Sequence, residues 1–197
     1  SATLRQRRCM MHAANWIRES GRFLRSISAG QLRKVLNRPK HTCTWCGGHA
    51  RKPRRTWCSE ACFQAYTAIL PSTCASLAYS RDRGICQLCG VDTIRITSLF
   101  LKFRQRWMTA TTPDETQEWK AVFETFAAHV VDLGFRLKRD HIRNMTEGDH
   151  IIPVVRGGGL TGVENYRTVC VPCHTAETRK LNKTLMHERR KQQKRAG

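Results

Sequence analysis

Eight of the ten cysteines fall into four close pairs: Cys43/Cys46, Cys58/Cys62, Cys86/Cys89 and Cys170/Cys173. Close pairs let both thiolates reach one metal from a tight knuckle, and disulfide-stapled secreted domains seldom repeat that spacing. Tetrahedral zinc takes four such ligands, so eight cysteines predict two closed sites and two structural Zn²⁺ ions. The first is Cys43, Cys46, Cys58 and Cys62, in the text CTWCGGHARKPRRTWCSEAC. Gly47-Gly48 suits a turn after the first knuckle, and Ser59-Glu60 suits the start of a helix carrying Cys62. His41 or His49 in place of one cysteine is the alternative. The second site pairs Cys86 and Cys89, in GICQLCG, with Cys170 and Cys173, in VCVPCH. Cross-pairing of these half-sites with the first site is the competing arrangement. Cys9 and Cys74 are left over and read as free thiols.

Residues 147–179 read EGDHIIPVVRGGGLTGVENYRTVCVPCHTAETR. A β-branched run, Ile151 to Val155, precedes three glycines and a second short strand, Tyr166 to Val169, which predicts a hairpin. A cysteine knuckle and a polar helix from about Val171 follow, giving the order strand, strand, helix. This segment resembles the HNH nucleases, the ββα-metal endonucleases. Asp149-His150 matches the family's acidic-His pair, Asn165 its central Asn, and His174 its last His directly after Cys-x-x-Cys. The flanking zinc cysteines match as well.

The resemblance implies a metal-dependent endonuclease acting on DNA, duplex or branched, with RNA also compatible. His150 would be the general base, taking a proton from the attacking water. Asp149 and His174 would hold one catalytic divalent cation, Mg²⁺ or Mn²⁺, which hard oxygen ligands with one imidazole suit better than a thiolate cage does. Asn165 would brace the hairpin and orient His150, and the products would carry 5′-phosphate and 3′-hydroxyl ends. Asp140-His141 repeats the Asp149-His150 text but lacks the glycine turn and knuckle after it, so His150 is preferred. The alternative for His174 is a fifth ligand of the zinc knuckle, or a side chain that bonds one of its cysteine ligands. The alternative for the whole chain is a zinc-stabilised nucleic-acid-binding module without cleavage activity.

Helices must position these residues. Residues 1–40 read as one or two basic helices with Trp16, Ile17, Phe23, Leu24 and Ile27 on a partial apolar face. Asn37-Arg38-Pro39 breaks the pattern before the first zinc module, whose short helix stops at Pro71. Between Cys89 and Asp149 the chain reads as mostly helical. Leu99, Phe100, Phe103 and Trp107 pack from one segment. Thr112, Pro113 and Glu115 start the next, whose Trp119, Val122, Phe123, Phe126, Val130 and Val131 recur at helical spacing as core. His129 on that stripe is bland. The expected fold is α+β: a basic helical extension (1–40), a four-Cys zinc module (41–75) and an HNH nuclease domain (76–197). That domain carries a helical insertion at about 93–140 and a basic C-terminal helix.

The 197 residues carry a net charge of +20, from 35 Lys/Arg against 15 Asp/Glu. Residues 1–56 hold 14 basic residues and one acid, residues 57–174 hold 13 and 12, and the last 23 hold 8 and 2. The excess thus sits at both ends of a nearly neutral middle, which favours a nucleic-acid partner over a membrane surface. Arg51, Lys52, Arg54 and Arg55 in the first zinc module, with Arg156 and Arg179, are the candidate phosphate contacts. At 40% hydrophobic the chain can bury a core, and its apolar runs fall short of the roughly 18 residues a membrane span needs. No apolar stretch follows Arg5, Arg7 and Arg8, so the start does not read as a secretory signal. The expected compartment is intracellular: nuclear in a eukaryote, cytoplasmic in a bacterium. Opening on Ser1 rather than Met suggests a piece of a longer chain.

Overall fold

A computed structural model describes residues 4–51, 53, 55–138, 141, 142 and 145–196. Expectations resting on Lys52, Arg54 and Asp140, and on the side chain of Cys9, lie outside the described residues. The chain divides into two units, Ser1–Arg81 with Gly148–Arg167, and Asp82–Glu147 with Thr168–Gly197. The architecture is mixed, helices with small antiparallel sheets. No described helix is long and apolar enough to cross a membrane.

In the first unit, α1 (Leu4–Glu19) gives way to a 3-10 turn, Gly21–Phe23, and then α2 (Ala29–Val35). Ser28 caps α2 by accepting from the Gln31 N–H, while the Gln31 side chain accepts from the Ser28 N–H. Helix α3 (Glu60–Thr67) starts on the Ser59 cap, as its sequence predicts, and α4 (Pro71–Asp82) has Pro71 at its first position, where a missing N–H costs nothing. Ala13, Ile17, Ile27, Leu32, Trp45, Tyr66 and Leu160 bury around the cysteines of this unit. Phe23 and Leu24 do not join them. They are 52% and 39% exposed, because α1 ends at Glu19 and its helical period stops before them.

The second unit is built on α5 (Thr93–Thr109) and α6 (Pro113–Asp132). The Asp92 carboxylate caps α5. Thr112 caps α6 by accepting from the Glu115 N–H, and the Glu115 carboxylate reaches back to the Thr111 N–H. Phe100 meets Phe123 edge-on at 5.0 Å, Phe103 meets Phe126 at 5.2 Å, and Trp107 stacks on Phe123 at 5.4 Å. Each fully buried ring contributes about 1.5–3 kcal/mol. Of the predicted stripe, Phe123 and Val130 are buried and Trp119 and Phe126 half-buried, while Val122 and Val131 remain exposed. A short ribbon follows, β1 (Leu137–Lys138) antiparallel to β2 (His141–Ile142). The 26-residue α7 (Val171–Ala196) ends the chain.

Two further strands, β3 (Thr146–His150) and β4 (Tyr166–Cys170), form the other sheet. The Ile151 N–H donates to the Asn165 carbonyl, and the Val171 N–H to the Met145 carbonyl, which fixes an antiparallel register. Sequence reasoning places the first strand at Ile151–Val155, and the structure corrects it to Thr146–His150. The β-branched run instead makes a 3-10 turn, Val154–Arg156. Pro153 lacks an N–H for a ladder, and both backbone groups of Ile152 are taken by the Asn165 side chain, so pairing cannot continue past His150.

Candidate metal centres and nuclease residues

Each cysteine knuckle is a tight turn closed by backbone hydrogen bonds. In the first, the Gly47 N–H donates to the Cys43 carbonyl, the Cys43 N–H to the Gly48 carbonyl and the Gly48 N–H to the Cys46 Sγ. Gly47 adopts a φ of +76°, a left-handed conformation that glycine holds without a side-chain clash. The second repeats the device: the Gly90 N–H donates to the Cys86 carbonyl and the Cys86 N–H to the Val91 carbonyl, with Gly90 at a φ of +74°.

The ligand atoms of Cys43, Cys46, Cys58 and Cys62 converge within 4.8 Å of one another, and so do those of Cys86, Cys89, Cys170 and Cys173. Neighbouring sulfurs lie 3.5 Å (Cys46–Cys58), 3.6 Å (Cys58–Cys62) and 3.7 Å (Cys89–Cys170) apart. Disulfide sulfurs would be about 2.05 Å apart. A tetrahedron of Zn–S bonds of about 2.3 Å has edges near 3.8 Å, so the spacing fits zinc. Neither His41 nor His49 joins the first cluster, and no cross-pairing occurs among the described residues.

Electrostatics point the same way. Burial resists ionisation of Cys86, but backbone donors from Cys170, Cys89 and Leu88 bring its thiol down to about 7. Burial, and then the charge of Cys43, push Cys62 up to about 11, and burial with Cys89 does the same to Cys173. Four converging sulfurs cannot all be thiolates unaided, and a dication supplies the charge that lets them. Cys74 stands apart, buried, with its thiol on the Ala68 carbonyl at 3.2 Å, which matches its reading as a free thiol.

Asp149, His150 and Asn165 fall in the first unit. The register sets Asp149 opposite Arg167, whose Nε and Nη2 both donate to Asp149 Oδ2, at 3.0 and 2.8 Å. Both bonds fall on Oδ2, so Oδ1 lies outside this ion pair. His150 faces Tyr166 from the other side of the ribbon, with ring centroids 4.2 Å apart. One ring nitrogen of His150 bonds the Gly159 backbone, and Nε2 is buried with no partner. Burial holds the imidazole below its ordinary value, Asp149 and the Gly159 bond oppose that, and Arg25 reinforces it. The neutral ring is thus favoured.

Asn165, 7% exposed, is a brace in every bond it makes. Its Oδ1 accepts from the Ile152 N–H at 2.8 Å, and its Nδ2 donates to the carbonyls of Ile152 at 3.1 Å and Gly158 at 2.8 Å. The loop from Ile151 to Gly158 is thereby closed on one amide. A side chain on Gly158 would overlap the Ile152 carbonyl and the Asn165 amide, so the loop can be this tight only with glycine there.

His174 belongs to the second unit, half-buried in the first turn of α7 directly after Cys173. Arg51, Arg55, Arg156 and Arg179 are exposed. His141 is an exposed residue of β2, outside both ligand clusters. Sequence reasoning missed Arg167 and Arg25. The alternation of β4 could have signalled the first, but Arg25 acts across more than a hundred residues of sequence and leaves no local pattern.

The HNH endonuclease family profile matches residues 137–180. The chain is 27% identical over 180 residues to "DNA annealing helicase and endonuclease ZRANB3" from Mus musculus and to its Homo sapiens counterpart, and 26% identical to that of Bos taurus. Each alignment covers 84% of this chain and 16% of the relative, so the chain spans about a sixth of their length. No solved structure matches it. The matched residues 137–180 hold both the Asp149-His150 pair and the Cys170–His174 knuckle, so the similarity to HNH endonucleases falls on the site described above.

Proposed function

We propose that the chain is a metal-dependent DNA endonuclease whose β3, β4 and α7 serve as a ββα-metal core, with His150 as general base. The observation that carries this is the His150 ring: held through the Gly159 backbone, favoured neutral by burial, with Nε2 unpartnered. Such a nitrogen has no structural task and is ready to accept a proton.

Nε2 of His150 would take the proton of a water as its oxygen attacks phosphorus. The bond from phosphorus to the 3′ oxygen then breaks and that oxygen takes a proton from solvent water, leaving 5′-phosphate and 3′-hydroxyl ends. By the family's motif order, Asp149 and His174 would hold the Mg²⁺ or Mn²⁺ ion, which supplies positive charge to the scissile phosphate and the leaving oxygen. A carboxylate oxygen and an imidazole suit those ions, and Asp149 keeps Oδ1 for the purpose while Arg167 holds Oδ2. In-line displacement needs base and leaving-group charge on opposite sides of phosphorus, and successive strand residues such as Asp149 and His150 leave on opposite faces. Asn165 fixes the loop that carries the His150 bond partner. Both four-Cys clusters hold structural zinc in this reading, and Arg51, Arg55, Arg156 and Arg179 contact DNA phosphates.

The test is cleavage of supercoiled plasmid by the zinc-loaded chain, with and without added Mg²⁺ or Mn²⁺. Nicking that needs the added ion and leaves ligatable 5′-phosphate ends is the expected result. Retention of DNA with no cutting under any divalent ion would favour a zinc-stabilised binding module instead.

A further inference from the structure

The stretch between α1 and α2 has few buried side chains, yet it is tied down along its length. The Gly159 N–H donates to the Arg22 carbonyl at 2.5 Å and the Leu160 N–H to the Gly21 carbonyl at 3.4 Å. Farther on, the Tyr66 hydroxyl donates to the Ile27 carbonyl at 2.9 Å. A side chain on Gly159 would overlap the carbonyl oxygens of Leu24 and Arg22, so the two backbones touch. Gly159 is also the residue whose backbone bonds the His150 ring. One residue therefore holds the N-terminal strap and the imidazole together.

The strap carries Arg22 and Arg25, both exposed. Arg22 lies along Gly157 and its guanidinium caps the Phe23 ring at 4.9 Å. Arg25 acts electrostatically on both His150 and Tyr166. Among the described residues neither arginine has a carboxylate partner. The two cations stand three residues apart on one strap, and the charge of Arg25 disfavours a second positive charge on His150. A phosphate anion at this strap would be attracted by both guanidinium groups.

We propose that Arg25, with Arg22 three residues before it on the same strap, forms a phosphate-binding site that takes the nucleic-acid backbone at the phosphodiester next to His150. The inference rests on His150 being the base. The guanidinium fork matches two phosphate oxygens at once, which an ammonium cannot do. The role of the N-terminal extension is then local: it delivers cationic side chains to the reaction site rather than only raising the overall charge.

The test compares Arg25→Ala, Arg25→Lys and Arg18→Ala, the last removing one exposed charge from α1. Binding is read in a His150→Ala background without added Mg²⁺ or Mn²⁺, so it does not depend on cutting. Arg25→Ala should reduce the slope of log affinity against log salt by about 0.9, as expected for one lost phosphate contact. In the otherwise intact chain it should slow cutting of saturating DNA about 10²-fold. Arg25→Lys should restore the salt slope but only part of the rate, and Arg18→Ala should leave the rate unchanged. An unchanged slope in Arg25→Ala, or equal slowing by Arg18→Ala, would overturn the proposal. Failure of the intact chain to cut would instead count against the base assignment, while the binding arm would still read Arg25.

Discussion

Asn165 spends its whole side chain on the backbone of the loop it closes, with three hydrogen bonds in a nearly buried setting. Asn165→Ala leaves buried partners unpaired, at about 1–3 kcal/mol each for those that water cannot reach. We expect a loss of about 2 kcal/mol or more in denaturant melts, with slower cutting because the loop also bears Gly159. Asn165→Asp keeps the acceptor but sets a carboxylate oxygen against the Ile152 and Gly158 carbonyls, so it should destabilise at least as much as Ala at neutral pH. Gly159→Ala tests the other side of the same loop. Its methyl has to displace the Arg22 and Leu24 carbonyls, so it should free the strap and impair cutting even where the protein stays folded at 25 °C, as read by melting and cleavage together.

At the scale of elements, what was legible in the sequence is what is decided locally. The Thr112-Pro113-Glu115 cap starts α6 where its residue types demand, and Thr112→Ala should cost about 1 kcal/mol in thermal or denaturant melts. The cysteine knuckles were legible for the same reason: close ligand pairs with a glycine after them allow few other structures. The first strand of the ribbon was not. Ile151 to Val155 has the composition of a strand, while Thr146-Glu147-Gly148-Asp149-His150 has little of it. Pairing with Tyr166–Cys170 decides the matter, together with a close approach of Gly148 to Ala75 that a side chain would block. The Arg167–Asp149 pair and the strap at Arg22 depend on such long-range register, which no local period encodes.

At the scale of the whole chain, eight cysteines in two clusters predict two zinc ions per chain by elemental analysis, and one would remove a cluster from the account. Cys86→Ser should unfold the second unit rather than merely slow catalysis, because the metal's binding energy is folding energy there, and a chelator should have the same effect on circular dichroism. Charge at both ends of the chain predicts steeply salt-dependent DNA binding, with the strap as its most specific part. The proposed chemistry depends on His150 accepting the proton of the attacking water. The most direct test is single-turnover plasmid cleavage by the zinc-loaded chain and by His150→Ala, with DNA binding measured in the same buffer. The variant should bind as the parent does and cut at least about 10²-fold more slowly; cutting at the parent's rate would contradict the account.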